Sequence, residues 1–477
     1  MSATTGTAAG RRGRTWAAIA AAACASVAAC GPAEPAKIAP APHRRAPPGP
    51  VHHVVLVTID GLLPDAYLHP DAHGLAVPTL RRLVAEGAAS DGALSVFPTL
   101  TYPSHTTMAT GFLPVHHGIT TNLSFDPYEI DQGGWRWYAE DIRRDPLWRV
   151  VERAGYPAAV VHWPVSAGAQ VTWRVPEYWR AKDDNDKKLL RALSTPGLLD
   201  DVARTHPSFW DRYTPPNVRD DALTDIATHV LAAGKPALLM LHLVEVDGAQ
   251  HATGTWSKES VAAIENDDRQ LARILKQLDD SGLRGDTSLV VASDHGFADT
   301  TAMVRPGVLL REAGLVTVAE NGRVTDWKAT VVTSSGQAYV YVRSASDAAT
   351  AKAARDLFEA KAKDAKSGIG RLYDAGAIRE LGGDPAAAFA VEAAPGFQFG
   401  PGAAGDYVAP PMYKATHGYD PSRPEMRASL IVSGPNVPHG SLPGARLVDV
   451  APTVASWLGL SLGETDGKPL RVVPAGR

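Results

Sequence analysis

The chain has 477 residues, 45% of them hydrophobic, and a formal net charge of -4. That length can bury a large core, and no basic stripe offers the phosphate neutralisation on which nucleic-acid binding depends. The two cysteines, Cys24 and Cys30, both lie near the N-terminus, so the folded body holds neither a disulfide nor a thiolate metal site.

In chain order, residues 1–30 read first, as an export signal. Arg11, Arg12 and Arg14 precede an apolar, alanine-rich run from Thr15 to Cys30 that is too short to span a bilayer comfortably. Its end, V-A-A-C, resembles the lipobox of bacterial lipoproteins, in which the cysteine is acylated after cleavage. The alternative is an ordinary signal cut after small residues near Ala25 or Ala29. Residues 31–50 are too rich in proline for a helix or a central strand and read as an extended tether. Behind an N-terminal lipid anchor, such a tether would hold a globular body off a membrane.

Residues 51–470 read as one catalytic α/β domain. The runs VVLVTID, AAVVHWP, ALLMLHLVEVD, SLVVASDH and RASLIVSG suit strands buried on both faces. Amphipathic stretches over 77–87, 146–155 and 257–278 lie between them, the last with Ser257 as N-cap and Gly282 beyond its end. This alternation predicts a mostly parallel central sheet with helices on both faces. Residues 304–411 break the rhythm with an alternating strand (337–343), an alanine-rich helix (347–367) and a Gly/Pro/Ala-rich loop (382–411). They read as an inserted α+β cap subdomain. Glu265, Asp267 and Asp268 read as a solvated helix face.

Open α/β sheets collect ligands at the carboxyl ends of their strands. Asp60 ends the first run, Asp247 ends another with His251 four residues on, and Asp294-His295 ends a third; His417 precedes the last strand. Imidazole and carboxylate are zinc ligands and are costly to bury unpaired, so their convergence points to a metal site. The segment V-F-P-T-L-T-Y-P-S-H-T-T carries the hydroxyls of Thr99, Thr101, Ser104, Thr106 and Thr107. A hydroxyl beside a metal becomes a nucleophile, and a helix starting there presents N–H groups to a phosphate. Residue type alone does not choose among the five.

Asp60, P-T-L-T-Y-P-S-H, T-G-F-L-P-V-H-H-G-I-T-T-N, Asp247 with His251, S-D-H-G and T-H-G-Y-D follow one another in that order. The series resembles the type I phosphodiesterase/nucleotide pyrophosphatase family of the alkaline phosphatase superfamily. The resemblance implies an alkaline-phosphatase-like fold and hydrolysis of phosphate esters at two zinc ions, with other divalent transition metals as alternatives. It implies Thr101 as the nucleophile, with Asn122 helping the Thr101 backbone N–H to hold a phosphate oxygen. Asp247, His251 and His417 would bind one zinc; Asp60, Asp294 and His295 would bind the other, which also contacts Thr101. The implied substrate is a small, nucleotide-like phosphate ester, its base stacked on Tyr102 and on the Tyr178-Trp179 pair. Ser104 departs from the family's pattern, which has Asn there. A phosphomonoesterase or a phosphonoacetate hydrolase would use the same metal centre. The non-enzymatic alternative is a silent binding lipoprotein, although every implied ligand position is filled.

Overall fold

A computed structural model of the protein describes residues 52–128, 130, 134–180, 183–215, 217–435 and 437–475. The export signal and the tether lie outside the described residues. Six strands form the body of the main sheet: β1 (His53–Ile59), β2 (Ala158–Trp163), β3 (Trp173–Pro176), β4 (Leu238–Leu243), β5 (Thr287–Ala292) and β6 (Leu430–Ser433). Their order is β6-β5-β1-β4-β2-β3, with three two-residue strands continuing beyond β6. β5, β1, β4, β2 and β3 run parallel, and β6 pairs antiparallel with β5. All residues of β2, β4 and β5 are buried, which explains their unbroken apolar runs.

Helices α1 (Pro78–Glu86), α2 (Thr101–Thr110), α3 (Asp220–Gly234), α4 (Glu245–Thr253) and α5 (Lys258–Asp280) pack on this sheet through residues such as Leu83, Met108, Ile226 and Leu271. Ser257 caps α5, its Oγ accepting the Ser260 N–H at 3.1 Å. In the sheet register Thr58 stands between His242 and Ala292. The carboxyl ends of β1, β4 and β5 are therefore level. Asp60, Asp294 and the start of α4 all leave the sheet at one edge.

A second sheet, antiparallel, is built from Ala329–Ser334, Gln337–Val342, Phe389–Ala393 and Ile369–Asp374. The helix Ala348–Ala362 accompanies it, and Val340, Phe358, Phe389 and Val391 belong to its own apolar cluster. The expected loop over 382–411 is corrected here: Phe389–Ala393 is an internal strand, paired on both sides. Every residue of F-A-V-E-A is buried, so the alternation that marks a half-exposed strand is missing.

The solvated acidic face is also corrected, since Asp267 and Asp268 are both buried. Asp268 accepts the N–H groups of Thr79 (3.1 Å) and Leu80 (2.7 Å), and Glu265 accepts that of Ala76 (2.9 Å). The N-cap of α1 is Val77, which has no oxygen to offer, so α5 supplies the acceptors from outside. Asp267 lies beside Asp220, whose carboxylate accepts the N–H groups of Val244 and Glu245. Burial, and then the Asp220 charge, push the Asp267 carboxyl well above its usual range.

A carboxyl raised on folding contributes stability that is fully present below its unfolded pKa of about 4 and is lost as pH rises through the folded value. Asp267→Asn keeps the shape without titrating. The variant should match wild type near pH 4 and gain on it by up to about 1.4 kcal/mol per pH unit above that. Urea unfolding across pH 4–8 measures the difference; parallel profiles would contradict the raised carboxyl.

Candidate metal centre

The residues at the level strand ends converge. The ligand atoms of Asp60, Asp294 and His295 lie within 4.8 Å of one another, and so do those of Asp247, His295 and His417. His295 therefore adjoins both groups, with its Nε2 3.1 Å from Asp294 Oδ2 and 3.3 Å from Asp60 Oδ1. His251 Nε2 lies 3.3 Å from Asp247 Oδ1, and His417 Nε2 lies 3.8 Å from the same oxygen. All seven ligand positions expected from the sequence, counting Thr101, thus fall around one small volume.

The orientation of the rings is fixed from behind. Nδ1 of His251 faces the carbonyl of Ala415 (2.9 Å), that of His295 faces Gly296 (3.1 Å) and that of His417 faces Thr99 (2.8 Å). A ring that donates from Nδ1 to a carbonyl presents a bare Nε2 lone pair forward, as a metal ligand must. The carboxylates match them: Asp60 Oδ1, Asp247 Oδ1 and Asp294 Oδ2 are buried and have no hydrogen-bond partner. Burial and then the neighbouring carboxylate Asp294 push Asp60 well above the usual range, and burial also raises Asp247. Burial holds His295 and His417 well below theirs, so both rings are neutral; they stack at 3.5 Å between centroids. Three acids, each with one buried and bare oxygen, facing neutral imidazoles, fit divalent cations of the zinc type.

Thr101 is the first residue of α2, and its Oγ1 lies 3.5 Å from His295 Nε2. Of the N–H groups in the first turn of α2, that of Thr101 is left for a ligand: Tyr102 N–H bonds Asn122, Pro103 has none and Ser104 N–H bonds the Leu100 carbonyl. Asn122 Oδ1 accepts the Tyr102 N–H at 3.0 Å, which ties the H-G-I-T-T-N segment to the start of this helix. Among the other hydroxyls, Thr99 Oγ1 bonds the Tyr419 carbonyl, Ser104 bonds Ser95 and Thr107 bonds His117, all inside the core. Beneath the helix His105 bridges the Thr101 carbonyl and Thr58 Oγ1, and burial lowers its pKa to about 3.

A cleft of about 970 Å³ opens on Thr101, Asp60 and Asp247 and is walled by Trp135 and Trp179. The two indoles meet at 5.1 Å, edge to face. The expected stacking role of Tyr102 needs correction. Its ring has no exposure and packs against Trp135 from beneath, so no base can reach its face. Tyr178 is 8% exposed and packs on Trp137, whereas its neighbour Trp179 faces the cleft. His242, set against Asp60, and Glu177, which also lines the cleft, belong to none of the sequence motifs. Their only signal was polar residues set at the ends of apolar strands. A separate cleft of about 1070 Å³, near Trp256 and Arg446, contains none of these ligands.

Fold and site together define an α/β protein with paired histidine–carboxylate clusters beside a hydroxyl at a helix start. The family model for type I phosphodiesterase/nucleotide pyrophosphatase matches residues 54–420, and the chain belongs to this family. It is 28% identical over 224 residues to ectonucleotide pyrophosphatase/phosphodiesterase 1 of Saccharomyces cerevisiae, a match that covers 43% of this chain and 28% of the yeast protein. With the bis(5'-adenosyl)-triphosphatase of Bos taurus it shares 24% identity over 246 residues, covering 51% of this chain and 47% of that protein. The chain thus spans less than half the length of these curated relatives. Murine ectonucleotide pyrophosphatase/phosphodiesterase 5, solved as an inactive threonine-to-alanine variant in complex with AMP, shares the fold. Its TM-score is 0.60 at 19% identity, covering 87% of this chain and 97% of that one.

If the bare carboxylates are cation ligands, metal binding must stabilise the native state. Stripping the protein with a chelator should lower its Tm, and zinc should restore it. A single site filled at 100 times its Kd supplies about 2.7 kcal/mol, enough to move Tm by several degrees in differential scanning calorimetry. Identical melting curves with and without zinc would contradict the assignment.

Proposed function

We propose that the chain is a metal-dependent hydrolase of phosphate esters, most closely a phosphodiesterase/nucleotide pyrophosphatase acting through a phospho-threonine at Thr101. The observation that carries this reading is the position of Thr101 Oγ1, at the first turn of α2 and within 3.5 Å of His295 Nε2. Family membership supports it, as does the inactivation of the murine relative by a threonine-to-alanine change. Asp247, His251 and His417 would hold one zinc and Asp60, Asp294 and His295 the other. When bound, the ions would supply Lewis acidity toward the phosphate and lower the pKa of the attacking hydroxyl.

The chain's own residues would do the rest. The Thr101 N–H at the start of α2 would bind a non-bridging phosphate oxygen, helped by the amide of Asn122, which its bond to Tyr102 N–H holds in place. Thr101 Oγ would attack phosphorus as the bond to the in-line leaving oxygen breaks, and water would later cleave the Thr101 ester, releasing the remaining phosphate monoester and restoring the hydroxyl. Trp135 and Trp179 would take a planar base, consistent with AMP in the murine relative and with the adenosyl substrate named for the bovine one. Residues 51–470 would form the catalytic domain, with 304–411 as its cap. Asp384 ties that cap down, accepting from Thr120 Oγ1 at 2.9 Å and Tyr341 OH at 2.8 Å. Residues 1–30 would direct export, with Cys30 as a lipid anchor, in keeping with relatives named as ectoenzymes. Among the described residues no helix is long and apolar enough to cross a membrane.

The test uses mature protein with bis(p-nitrophenyl) phosphate and p-nitrophenyl phosphate. Diester cleavage should exceed monoester cleavage, and Thr101→Ala should lower it at least about 1,000-fold while zinc uptake persists. Faster monoester turnover would make the protein a phosphatase with the same site. Full activity in the Thr101→Ala variant would exclude the phospho-threonine.

A further inference from the structure

Beside the clusters, and reaching the cleft wall at His162 and Glu177, lies a chain of largely buried polar groups that the proposed reaction does not use. His242, the fifth residue of β4, is wholly buried in an otherwise apolar strand, L-L-M-L-H-L. Its Nε2 lies 3.1 Å from Asp60 Oδ2. Its Nδ1 lies 3.2 Å from the carbonyl of His162 and 3.6 Å from Glu177 Oε2. Glu177 is itself 4% exposed, and its Oε2 has no hydrogen-bond partner.

The two oxygens of Asp60 are thereby divided. Oδ2 is engaged by His242, while Oδ1 has no hydrogen bond and faces His295 Nε2 at 3.3 Å. A free carboxylate on a strand end can rotate to offer either oxygen, or both. Here the imidazole takes one and leaves the other forward.

The backbone makes an independent concession to the same contact. His162 has φ 54, a left-handed conformation that costs a non-glycine residue of order 1 kcal/mol or more. The register between β2 and β3 also slips at this point, between Val161 and Trp163. Bulges beside a site re-aim a single group, and the group turned here is the carbonyl that faces His242 Nδ1. A histidine kept only for packing would need neither a strained neighbour nor two buried carboxylates, and a leucine would fill the strand at lower cost.

We propose that His242 is a positioning residue for the Asp60 metal site, orienting Asp60 by its Nε2–H and itself held by His162 and Glu177. This rests on the reading of Asp60, Asp294 and His295 as metal ligands. Ligand partners of this kind change metal affinity about 10–100-fold when removed.

The test measures metal binding rather than turnover. Metal-stripped wild type, His242→Leu, His242→Gln and Glu177→Gln are titrated with zinc against a chromophoric chelator, and cobalt spectra are recorded for each. Wild type should bind two ions. In His242→Leu one of them should weaken about 10–100-fold with a changed cobalt spectrum, while the other is unaffected. His242→Gln, which keeps a donor for Asp60, should recover most of that loss. Glu177→Gln, which leaves the strand intact, should weaken the same ion and not the other. Two ions bound by His242→Leu with wild-type affinity and spectrum would overturn the proposal. So would a misfolded His242→Leu accompanied by a Glu177→Gln protein indistinguishable from wild type. A wild-type chain that binds no divalent ion would instead defeat the ligand assignment itself, and this inference with it.

Discussion

Three carboxylates, Asp60, Asp247 and Asp294, are crowded at one sheet edge with oxygens that no protein donor reaches. Like charges held together out of water repel strongly, and each lacks the hydration it had in the unfolded chain. The surrounding protein relieves this only in part, through His242 at Asp60 Oδ2 and the Gly61 N–H at Asp294 Oδ1. The nearby rings of His295 and His417 are neutral, and their donors point backward to backbone carbonyls. Everything about the edge is arranged to keep lone pairs facing inward. Cations are the counterpart that such an arrangement requires.

The fold supplies the convergence by register. Because Thr58, His242 and Ala292 lie abreast, the chain leaves β1, β4 and β5 at the same height. Each departing segment carries a ligand within a few residues. Helix α2 starts at the same edge and brings Thr101 Oγ1 to His295. The second sheet stands apart in sequence, yet Asp384 fastens it to Thr120, two residues before Asn122.

Much of this was legible before any coordinates. Apolar runs ending in Asp or Asp-His mark strands buried on both faces, and order along the chain matched a family pattern. What escaped reading was set by contacts between distant segments. Asp268 looks like a surface acid because helix periodicity cannot reveal that α1 lacks a capping oxygen of its own. Phe389–Ala393 shows no alternation because both its faces are covered. Tyr102 adjoins Thr101 in sequence, but helical geometry turns it into the core and leaves the cleft wall to Trp135 and Trp179. His242 sits in an apolar strand and gains its meaning only from Asp60, far away along the chain.

On the proposed reading, this edge of the sheet would hold two metal ions. Crystals grown with zinc, with anomalous data collected on both sides of the zinc absorption edge, test it most directly. Two peaks per chain are expected, one among Asp60, Asp294 and His295 and one among Asp247, His251 and His417. No peak at either position, with the carboxylates instead sharing protons or drawn apart, would contradict that reading.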